Sequence, residues 1–68
     1  MCRSIKQLRQ PDLSPSEAEI EAAALQFVRK VSGYRKPSKA NQAAFDQAVA
    51  RIALATRQML EQLQNKPA

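Results

Sequence analysis

A single glycine, Gly33, followed four residues later by Pro37, separates two stretches that each carry apolar residues at helical spacing. Nothing else constrains the fold as much. Glycine is favoured just past the last turn of a helix, because it takes the left-handed conformation without a side-chain penalty. Proline cannot continue the helix that precedes it. Residues 34–37 leave only a short connection, so the two helices must turn back and lie antiparallel as neighbours. The expected fold class is all-α: an antiparallel two-helix hairpin with a short N-terminal arm, open to dimerisation into a four-helix bundle. The arm takes residues 1–13 and the hairpin residues 14–65, with helices at about 15–32 and 39–64.

The first helix has a clear start. Ser14-Pro15-Ser16-Glu17 fits a capping box, with the Ser14 hydroxyl and the Glu17 carboxylate exchanging bonds to each other's amides. Pro15 suits the first helical position, where its missing N–H costs nothing. Glu17, Glu19 and Glu21 complement the positive end of the helix, and Arg29 and Lys30 its negative end. Ile20, Ala24, Phe27, Val28 and Val31 share one face. In the second helix Ser38 is the expected cap. Phe45, Val49, Ile52, Thr56, Met59 and Leu63 recur at alternating steps of four and three, which is an a/d seam with Met59 in the core. Asn65 and Pro67 end the pattern.

Sixty-eight residues make one domain at most, near the lower limit for independent stability. The 44% apolar content overstates the core, since twelve of the apolar residues are Ala. At roughly 1.5–3 kcal/mol per buried large side chain, the rest can just offset chain entropy. A partner subunit would help. Each helix carries a weaker second stripe: Ala18, Ala22 and Leu25 on one, Ala43, Ala50 and Leu54 on the other. Ile5 and Leu8 of the arm, or another copy, can cover these. Single apolar residues on a helix surface are also ordinary.

The charge is lopsided. Residues 29–39 (RKVSGYRKPSK) hold five of the eleven cations and no acid; the flanking acids are Glu21 and Asp46. Arg29 and Lys30 serve the end of their own helix. Arg35, Lys36 and Lys39 have no such role, and Lys39 stands at a positive helix end, where a cation is unfavourable without an anion. With the Ser38 hydroxyl and the first amides of the second helix, they compose a candidate anion site. Ser38 as a plain cap is the simpler alternative. Tyr34 can stack on a base, although a Tyr just past a C-terminal Gly more often packs back on the helix end. One aromatic is too few for a single-strand binding platform, and no third helix braces a helix-turn-helix.

Other chemistry is thinly represented. One Cys and no His exclude a disulfide framework and a His-based triad. No apolar run reaches the ~18 residues of a membrane helix, and the basic N-terminus lacks the apolar stretch of a secretory signal. A cytoplasmic protein without cofactor or membrane is expected, and an enzyme is not the favoured reading. Cys2 is the exception to weigh. Removal of Met1 would leave a free amine beside a thiol, a pair able to chelate a metal or attack as a nucleophile, with Arg3 favouring the thiolate. A small residue packed under the arm is the plainer reading.

Two segments, MCRSIK and AALQFVRKVSGYRKPSKANQAAFDQAVARIA, together resemble the family of small bacterial proteins known as domain of unknown function 2277. The resemblance covers nearly the whole chain. It implies that Cys2, Arg3, Gly33, Lys36, Pro37, Ser38, Asn41 and Phe45 belong to the family's pattern, and it brings no activity with it. From the residues, the expected function is a small basic helical binding module. It would recognise an anionic partner, nucleic acid or a phosphorylated ligand, through Arg35, Lys36, Ser38 and Lys39. The alternative is a non-enzymatic, homo-oligomeric interaction or scaffold protein. Chemistry at Cys2 comes third.

Overall fold

The computed structural model describes residues 7–9 and 14–63. Helix α1 spans Glu17–Ser32, a single 3-10 turn spans Lys39–Asn41, and helix α2 runs directly on from it over Gln42–Gln62. Among the described residues there is no strand. The two helices pack antiparallel as a hairpin. The expected all-α hairpin is therefore what the chain forms.

Helix α1 starts two residues later than expected. Ser16, not Ser14, is its cap: the Ser16 hydroxyl accepts from the Glu19 amide at 3.1 Å, and the Glu19 carboxylate accepts from the Ser16 amide at 2.8 Å. Both serines lie three residues before a glutamate, so both fit the same box. The difference lies in what Glu17 does. As partner of Ser14 it would fold back on its own helix; instead it accepts from Arg57 Nη1 near the end of α2. Both side chains are partly exposed, so the pair contributes only about 0–1 kcal/mol. Its importance is positional, because it fixes which turn of α2 lies beside the start of α1.

Gly33 ends α1 as expected, at φ 79°, with its N–H donated to the Arg29 carbonyl at 2.9 Å. The core lies between the helices. Ile20, Ala24 and Val28 are buried from α1, and Phe45 and Ala53 from α2. Val49, Ile52 and Leu60 pack around the cluster formed by Ile20, Ala24 and Ala53. No described side chain is completely enclosed.

The a/d seam holds only for the first half of α2. Met59 is 51% exposed and Leu63 44%, while Leu60 takes the core position. Phe45, Ala53 and Leu60 are spaced by eight and seven residues, which follows the 3.6-residue turn of a straight helix better than a strict 3.5 repeat. In addition, α1 begins at Glu17 opposite Arg57, and beyond Arg57 it is Leu60 that packs against the core cluster, while Met59 and Leu63 stay exposed. On α1, Phe27 and Val31 also depart from expectation: they are 53% and 69% exposed rather than inward. Of the weaker stripes, Leu25 is half-buried, and Ala18, Ala22, Ala43, Ala50 and Leu54 stay exposed. Leu8 of the arm is exposed, and Ile5 lies outside the described residues.

Candidate anion-binding turn

The turn between the helices is held by side chains bonded to backbone and to one another. The Arg29 guanidinium reaches past the end of α1 and donates its Nε–H to the Arg35 carbonyl at 3.0 Å. The Tyr34 amide donates to the Ser32 hydroxyl at 3.1 Å. Asn41 joins both sides: its Nδ2 donates to the Ser38 hydroxyl at 3.2 Å and to the Tyr34 hydroxyl at 3.3 Å. Its backbone N–H donates to the Ser38 carbonyl at 3.0 Å.

This network changes the role expected of Ser38. The residue has the extended backbone of a cap, but its hydroxyl bonds to no backbone amide at the helix start. The tight 3-10 turn closes through the Ser38 carbonyl, and the hydroxyl accepts from the Asn41 side chain instead. Its own O–H is thereby left to donate away from Asn41. The amides of Lys39 and Ala40, at the start of the helical turn, have no acceptor earlier in that turn. Donors therefore gather where the sequence put them, on a hydroxyl released from capping.

Arg35, Lys36 and Lys39 belong to the same turn, and all three are exposed. The ion pair found among the described residues, Glu17 with Arg57, involves none of them. Carboxylates cluster elsewhere. Glu17, Glu19 and Glu21 begin α1 and Glu61 ends α2, which antiparallel packing puts at the opposite end of the hairpin. Asp46, in the second turn of α2, is held by the Gln42 side chain at 3.0 Å.

Tyr34 is 43% exposed. Its ring lines an open, almost wholly apolar groove with Phe27, Val31 and Phe45, and its hydroxyl is tied to Asn41. The ring thus has a structural position in the turn. Asn41, which the sequence marks only through the family's pattern and not as a site residue, is the side chain that joins the two sides of the turn. The signal was its spacing, three residues after Ser38 and seven after Tyr34. Cys2 lies outside the described residues. Among those described, no group of three or more His, Cys, Asp or Glu side chains is placed to hold a metal, and no helix is long and apolar enough to cross a membrane.

Fold and turn together define a small all-α hairpin with a cation-rich tip. The chain matches the family described as "Uncharacterized conserved protein (DUF2277)" over residues 1–68 and belongs to that family. No curated protein and no solved structure matches it.

Proposed function

We propose that this protein is a small basic binding module that recognises a phosphate-bearing partner, nucleic acid or a phosphorylated ligand, through the turn between its helices. One observation carries this reading: Arg35, Lys36 and Lys39, all within three residues of Ser38 in the turn, are exposed and form no ion pair with a described residue. A lysine at the positive end of a helix is unfavourable by about 0.3–1 kcal/mol, and an anion on the same amides reverses that sign. In this mechanism the three cations supply charge, and the Ser38 hydroxyl and the amides of Lys39 and Ala40 supply directed donors. A cytoplasmic setting, where such partners abound, belongs to the same reading.

The test is fluorescence anisotropy of labelled single- and double-stranded oligonucleotides, competed with inorganic phosphate, across a salt series. Binding should weaken with salt on a log–log slope of about −2 to −3, as expected for three phosphate contacts. Lys36→Glu with Lys39→Glu should abolish it. Unchanged affinity in that double variant would remove the turn as the site.

A further inference from the structure

The open groove beside Tyr34 is one end of a longer apolar face. At about 100° per residue, Ala44, Ala48, Ile52, Ala55 and Met59 fall along one strip of α2. On α1 the strip continues through Phe27 and Val31. The groove at the tip end, bordered by Phe27, Val31, Ala48 and Ile52, encloses about 410 Å³. Phe27, Val31 and Met59 are each more than half exposed, although they are among the larger apolar side chains of the protein. The hairpin's own core meanwhile consists of five buried residues, two of them alanine, among those described. A chain of this size rarely obtains enough stability from one such core.

The charges bordering the face say what would cover it. Glu19 and Lys30 lie eleven residues apart on α1, just over three full turns, so both stand on the same flank of the strip at opposite ends. Both are exposed. Oε1 of Glu19 serves the capping box, and its other oxygen has no such role. A two-fold axis across the middle of α1 would set each Lys30 against the Glu19 of another copy. The same operation moves each cation-rich tip to the end where the other copy carries Glu17, Glu19, Glu21 and Glu61. The alternative two-fold, with the tips side by side, would juxtapose ten cations from two 29–39 segments. Arg51 borders the strip on α2, where its long stem can carry the charge outward.

We propose that a second copy of this chain packs antiparallel across the face formed by Phe27, Val31, Ala48, Ile52 and Met59, closing a four-helix bundle. The interface is self-complementary, as a two-fold contact requires. It buries the small-residue strip of α2 against its own symmetry mate, which allows close helix approach. Arg35, Lys36 and Lys39 stay at the two ends of the bundle, and the inference does not rest on their binding an anion.

Sedimentation equilibrium of the full chain tests the assembly. Twice the 7.6 kDa chain mass is expected. Val31→Lys with Met59→Lys, both at positions exposed in the single hairpin, should raise the dissociation constant by about tenfold or more, because charges would be buried at the contact. Helical circular dichroism checks that this variant still folds. Orientation is tested by mixing Lys30→Glu chains with Glu19→Lys chains. Each alone places like charges opposite each other, whereas the mixed pair makes two attractive contacts. Native mass spectrometry should show the heterodimer in excess of the two homodimers together. A monomer at every concentration, or a face given over to some other protein, would overturn the proposal. A random mixture of the two variants would overturn the antiparallel arrangement.

Discussion

Gly33 shows how a single residue can set the geometry of a chain while touching little. A methyl group added there would meet nothing within 4 Å, yet the backbone stands at φ 79°. The requirement is therefore conformational and not steric. Gly33→Ala should lower stability by about 1–2 kcal/mol, the cost of a side chain in the left-handed region. Gly33→Asn should cost less, since Asn tolerates that region. Urea unfolding followed by circular dichroism separates the two; equal losses would point to some role other than the backbone angle. The glycine was legible because its function is local. Asn41 was not legible as part of the site, because its role depends on where Tyr34 and Ser38 come to lie once the chain has turned. The hydroxyl of Ser38 reads as a cap for the same reason: only the 3-10 geometry of Lys39–Asn41 moves it from the helix amides to the Asn41 side chain.

Helix boundaries and faces divide along the same line. Both helices, their antiparallel order and the basic tip follow from Gly33, Pro37 and the apolar periodicity, all of which are short-range signals. Two features of the elements required tertiary information. The start of α1 was ambiguous between two overlapping Ser-x-x-Glu boxes, and the contact between Glu17 and Arg57 goes with the later one. The far half of the α2 face differs from the strict seam because a straight helix carries the buried side from Phe45 through Ala53 to Leu60, which leaves Met59 and Leu63 outside. The first of these yields a sharp contrast. Ser16→Ala should destabilise the protein by about 1 kcal/mol, a normal loss for an N-cap, and should fray the first turn of α1. Ser14→Ala, two residues before the cap, should change little. Thermal melts of the two variants side by side measure it, and a larger effect at Ser14 would return the cap to the earlier box.

For the whole molecule, the decisive quantity is how little core there is. Ile20 is the largest aliphatic side chain in the cluster it shares with Ala24 and Ala53, and Val49, Ile52 and Leu60 pack around that cluster. A core of this kind leaves a total stability of about 3–5 kcal/mol at best. Replacing a buried Ile by Ala commonly removes about 2–5 kcal/mol, which is nearly the whole of it. Ile20→Ala should therefore not merely soften the protein. At low protein concentration it should abolish most of the helical circular dichroism signal, since neither helix is stabilised except by the other. Val31→Ala deletes one carbon fewer, at a position 69% exposed, and under the same conditions it should shift stability by only about 0.5 kcal/mol or less. The contrast separates apolar residues that make the hairpin from those that face away from its core. If Ile20→Ala kept its full helical signal, stability would have to arise outside the contact between α1 and α2. If Val31→Ala unfolded the chain, the exposed face would already be covered in the dilute state.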